Sequence, residues 1–172
     1  RLPAAAGRLL AVIAVAGRPL LQSIAERAAG VDDPSVLALL KAGSFVRSRA
    51  VGEQRLVEAY HDRVRETALT VLDPVERREL HRRLALAYEA SASPDPETLA
   101  YHLEGAGDPV RAAEHAVLAA QRATEALAFD RAANLCRLAM RLNPGAVDHR
   151  LRLALAEALA NAGRAAEAAE AF

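Results

Sequence analysis

From residue 97 to its last residue the chain carries only helix signals. Apolar residues recur at three- and four-residue spacing, interrupted only by "GD" at 107–108, "NPG" at 143–145 and Gly163. That spacing draws one apolar stripe along a helix, and the alternation of a half-buried strand is missing. Alanine and leucine supply most of the stripe, in a chain that is 52% hydrophobic but only 3% aromatic. Small side chains at this frequency favour helices that approach closely over a core filled by rings. Helices are predicted at about 97–106, 109–125, 128–142, 147–162 and from 164 onwards.

The first part of the chain reads differently. Leu2, Ala6, Leu9, Leu10, Ile13 and Ala14 mark one face of a helix over 2–15, with Pro3 in its first turn and Gly17 at its exit. A second helix is expected at 20–29, ended by Gly30, and a third at 34–42, opened by Asp33-Pro34 and closed by Gly43. "FVRSRAV" (45–51) and "RLVEAYH" (55–61) are short, rich in β-formers and separated by Gly52-Glu53-Gln54, which reads as a hairpin. Alternation along the second strand places His61 with Val57 and Ala59 on a partly buried face, and Asp62 then serves as N-cap of a helix over 62–72. Three helices, a hairpin and a closing helix outline a winged-helix domain. Asp73-Pro74-Val75-Glu76 has the make-up of a capping box and opens a helix that ends before Ser91-Ala92-Ser93-Pro94.

A repeat is visible in the helical part. In "LAEALANAGRAAEAAEAF" (155–172), Leu155, Ala156, Leu159, Gly163, Ala168 and Phe172 sit at the spacing of a tetratricopeptide repeat. Thirty-six residues earlier stand Ala119, Ala120, Ala123, Ala132 and Cys136, with Phe129 and Pro144 where that repeat uses a bulky residue and a terminal proline. The expected fold is therefore mainly α: a winged-helix domain with one β-hairpin over 1–72, then a helical linker and a tetratricopeptide-like superhelical array over 73–172. The chain lacks a starting methionine and stops inside a helix pattern, as expected of a piece of a larger protein.

Composition bounds the partners. Twenty-two basic residues balance 22 acidic ones, so no global charge draws the chain to nucleic acid or an anionic membrane. The longest apolar run, "LLAVIAVA" at 9–16, falls far short of the ~20 residues of a spanning helix. One cysteine, Cys136, fits a reducing compartment, and a cytoplasmic location is expected. The five histidines are scattered and form no HExxH, and no GxxxxGK[ST] is present. His81 and His102 read as helix-face residues at the edge of the core, Cys136 as a small core residue. Adjacent His61 and Asp62 lack a nucleophile, so no catalytic site, metal or cofactor is expected in the chain itself.

A winged helix can also read DNA. Its third helix, "DPSVLALLKAG", offers only Lys41 to a major groove, with Asp32 and Asp33 close by to repel phosphate. The hairpin contributes Arg47, Arg49 and Arg55 as candidate phosphate contacts. Ten basic and seven acidic residues over 1–72 give only +3, so nucleic acid is not the expected partner. A DNA-binding regulator and a plain repeat scaffold remain the alternatives.

One stretch is more specific. "YHDRVRETAL" (60–69) resembles the MHD motif region of the signal-transducing ATPases with numerous domains, with Tyr60 in place of the usual methionine and His61 and Asp62 matching. "ERRELHRRLALAYEA" (76–90) and residues 99–142 resemble the linker and helical array that follow the ATPase core in bacterial members fused to serine/threonine kinases, adenylate cyclases or LuxR-type domains. The resemblance implies a winged helix that closes over a nucleotide-binding domain, with His61 sensing the phosphate of bound ADP or ATP held by that domain. It also implies a regulatory role without catalysis, and repeats that bind a protein partner or other domains of the same protein.

Overall fold

The computed structural model describes residues 2–171. Among them are ten α-helices, one 3-10 turn and a three-stranded antiparallel sheet. The chain divides after Ser93 into two compact units.

The first unit is built round α1 (Ala4–Ala16), whose Leu9, Val12, Ile13, Ala14 and Val15 are all buried. A helix so uniformly apolar is a central element rather than an amphipathic lid. Packed on it are α2 (Gln22–Ala29), α3 (Pro34–Ala42), α4 (Asp62–Thr70) and α5 (Pro74–Glu89). The hairpin pairs β2 (Val46–Val51) with β3 (Gln54–Ala59) in the register Val46↔Ala59 to Val51↔Gln54, turning at Gly52 with φ 59°. Strand β1 (Leu20–Leu21) adds to the other edge of β3, placing buried Leu20 opposite buried Val57. The sequence merges these two leucines into the following helix, because two residues carry no alternation to read.

Three further features refine these expectations. The first concerns α5, assigned by sequence to a linker beginning at residue 73. It packs against α1 and α2 and buries Leu84, Ala85, Ala87 and Tyr88 there. Arg27 Nη1 donates to the Ala90 carbonyl just beyond it (3.3 Å), and the first compact unit extends to Ser93. The capping box itself forms: Asp73 accepts from Val75 and Glu76 backbone N–H groups, and Glu76 accepts from that of Asp73. The second concerns Gly43, which closes α3 as expected but with φ −81°; the left-handed residue that follows is Ser44 at φ 55°. Gly43 is required for a different reason. A Cβ there would meet the Phe45 ring at 2.7 Å, so the ring lies directly over a backbone stripped of side chain. The third concerns His81 and His102, which are 4% and 0% exposed and thus inside the core, not at its edge.

The second unit comprises α6 (Pro96–Ala106), α7 (Pro109–Glu125), α8 (Phe129–Leu142), a 3-10 turn (Pro144–Ala146), α9 (His149–Asn161) and α10 (Ala165–Ala171). Each helix packs against the next. Ala119, Ala120, Ala123 and Ala132 are buried, and so are their counterparts 36 residues on, Leu155, Ala156, Leu159 and Ala168. The helix ends follow the same interval. After α7, Leu127 N–H donates to Thr124 C=O (2.9 Å) and Ala128 N–H to Ala123 C=O (2.8 Å). After α9, Gly163 and Arg164 N–H groups donate to Ala160 and Leu159 C=O (3.0 and 2.9 Å), the same Schellman cap.

Candidate functional sites

Strand β3 ends at Ala59, and the chain turns out of the sheet at Tyr60, whose N–H donates to Phe45 C=O (2.9 Å). His61 is extended (φ −137°, ψ 151°) and exposed, beyond the strand rather than on its partly buried face. The Tyr60 and His61 rings meet edge to face, 4.6 Å between centroids. His61, not Asp62, is the N-cap residue of α4, and its carbonyl accepts from Val64 and Arg65 N–H groups (3.0 and 3.3 Å). Its imidazole makes no cap hydrogen bond. Asp62 is the first helical residue, where its charge complements the helix dipole. Adjacent side chains leave a cap and a first helical turn in different directions, so the two do not converge as an acid–base pair.

Beneath His61 opens a groove of about 560 Å³ with an almost wholly apolar wall, including Leu10, Phe45, Val64, Ala68 and Val71. It exists because α4 lies shallowly on α1 and buries none of its residues fully. Arg65 holds that pose, its Nε donating to Ala14 C=O in the last turn of α1 (3.2 Å). The guanidinium satisfies a carbonyl left over at a helix C-terminus.

The three hairpin arginines do not form a patch. Register places Arg47 opposite Glu58 and Arg49 opposite Leu56 on one face, while Arg55 lies opposite Ala50 on the other. Arg47 is also neutralised, its Nε 3.0 Å from Glu58 Oε1.

A second groove, also about 560 Å³, lies between α7 and α9. Ala120, Leu151, Ala154 and Ala158 give it an apolar floor, with Cys136 reaching it from α8. Burial pushes the Cys136 thiol up, so it is a packing residue, not a nucleophile. Polar groups at the groove are Gln121, Thr124 and Glu125 from α7, Asp148 before α9, and Arg150, Glu157 and Asn161 on α9. The sequence reading passed over them, although a signal existed. The 36-residue interval that relates the buried positions also relates Gln121 to Glu157 and Glu125 to Asn161. The opposite helices are stitched by arginines: Arg131 to Glu97 and Arg141 to Glu104 join α8 to α6, Arg137 to Glu167 joins α8 to α10, and Arg164, just before α10, pairs with Asp130 of α8.

Elsewhere Arg82 and Arg83 hold the Glu79 carboxyl down at about 2, and with Arg77 and Arg78 they form the exposed face of α5. Among the described residues no three His, Cys, Asp or Glu side chains group as metal ligands, and no helix is long and apolar enough to cross a membrane. The chain matches no protein-family model, no curated protein and no solved structure.

Proposed function

We propose that this chain is a non-catalytic regulatory segment of a larger signal-transducing ATPase. Its first unit would be a winged helix that docks on a nucleotide-binding domain, and its second a tetratricopeptide-like array that engages a protein partner. The observation that carries this is His61: an exposed imidazole, fixed by its own backbone at the mouth of an apolar groove, between a hairpin and a helix. A groove of that kind suits a domain surface, and a ring at its mouth suits a polar group such as a phosphate held on that surface. The recurrence of burial and helix caps at 36 residues supports the array. Partner binding would act on the ATPase only by favouring one of two domain arrangements. The scattered arginines of the hairpin disfavour the alternative of a DNA-reading wing.

The test uses the encoded protein with its nucleotide-binding domain. His61→Ala accelerates loss of bound ADP about tenfold or more, the worth of one hydrogen bond to a charged group. Unchanged ADP dissociation rules out phosphate sensing by His61. A parent sequence without a phosphate-binding loop upstream would leave the plain scaffold in its place.

A further inference from the structure

The groove between α7 and α9 is lined by two carboxylates that the chain leaves unpaired, Glu125 and Glu157, and by Asp148, whose Oδ1 accepts from Leu151 N–H at the start of α9. Glu125, Asp148 and Glu157 stand against Arg150 alone, three negative charges and one positive for a balance of −2. The whole chain is balanced at 22 against 22, so this is a local excess. On the α6–α8–α10 side of the same unit, Glu97, Glu104, Asp130 and Glu167 each meet an arginine. Glu125 and Glu157 make no ion pair or hydrogen bond among the described residues. One side of the unit is therefore internally compensated, and the other is not.

Carboxylates above an apolar floor attract cations more strongly than carboxylates on an open surface, because low-dielectric walls focus the field. Gln121 and Asn161 each offer a donor and an acceptor, the pair a peptide backbone needs. We propose that this groove docks a basic peptide segment of a partner protein, with lysine or arginine flanking a small apolar side chain. The apolar side chain seats on the alanines of the floor, and the cations meet Glu125 and Glu157. The proposal rests on the interaction role given above to the second unit and adds the chemical class of its partner.

The experiment is selection of random dodecapeptides displayed on phage against the full chain, followed by titration of the enriched peptides. The expected sequences carry net positive charge around an apolar residue. Their affinity falls about tenfold in the double variant Glu125→Gln/Glu157→Gln, and also with added salt. Both glutamates are exposed, so the variant keeps its helicity, which circular dichroism verifies. Neutral or acidic enriched peptides, no enrichment, or binding unmoved in the double variant each overturn the proposal. Self-association abolished by the double variant would put a second copy in the groove and overturn it equally. Any of these leaves ADP retention through His61 unaffected, so the two readings fail separately.

Discussion

At the scale of single residues, His81 shows how burial turns a side chain into a pH-dependent load. Desolvation, reinforced by the nearby Arg77 charge, pushes its pKa down from 6.5 to about 4. A lowered folded-state value means that the neutral ring is the one the fold holds. The stability this preserves is complete above the ordinary value near 6.5 and disappears as pH falls from there towards 4. Between pH 7 and pH 5 the first unit should lose about 2 kcal/mol from this group. Urea midpoints measured across that range should fall, and His81→Leu should flatten the slope. The burial itself was not legible in the sequence. A histidine on a helix flanked by arginines reads as a rim residue until the packing of α5 against α1 and α2 is known.

At the scale of elements, the helix ends carry the clearest signals. The Asp73–Glu76 capping box was visible from residue types alone, since only those types supply the reciprocal hydrogen bonds. His61 and Asp62 were placed one position out, because any residue with extended backbone can occupy an N-cap. The turn after α7 is a more instructive case. Leu127 sits at φ 57° where the equivalent turn after α9 has Gly163 at φ 77°. Left-handed backbone costs an L-residue roughly 1–2 kcal/mol, and glycine returns part of that gain through unfolded-chain entropy. The Leu127 side chain is 73% exposed, so its removal sacrifices little packing. Leu127→Gly should stabilise the second unit by about 0.5–1 kcal/mol, and Gly163→Ala should destabilise it by about 1 kcal/mol. Thermal melts of the two variants, moving in opposite directions, check both.

At the scale of the molecule, the division into compact units after Ser93 suggests where to cut the chain. A chain stopped at residue 72 loses α5 and exposes the apolar faces of α1 and α2 that Leu84, Ala87 and Tyr88 cover. A chain stopped at Ser93 should melt cooperatively by circular dichroism, whereas one stopped at residue 72 should lose that transition. The helical content, the hairpin and most helix limits could be read from periodicity and turn residues, which act locally. The boundary, the two-residue strand and both grooves could not, because they arise from contacts between distant segments. The 36-residue interval is the exception, a long-range feature written into local pattern. It relates four buried pairs and the C-terminal caps of α7 and α9, yet where α7 offers Gln121 and Glu125 to the groove, α9 offers Glu157 and Asn161. The positions that build the scaffold thus stay apolar across the interval, while the positions that line the groove change type. Substitution in the groove can change its chemistry while the architecture stays as it is.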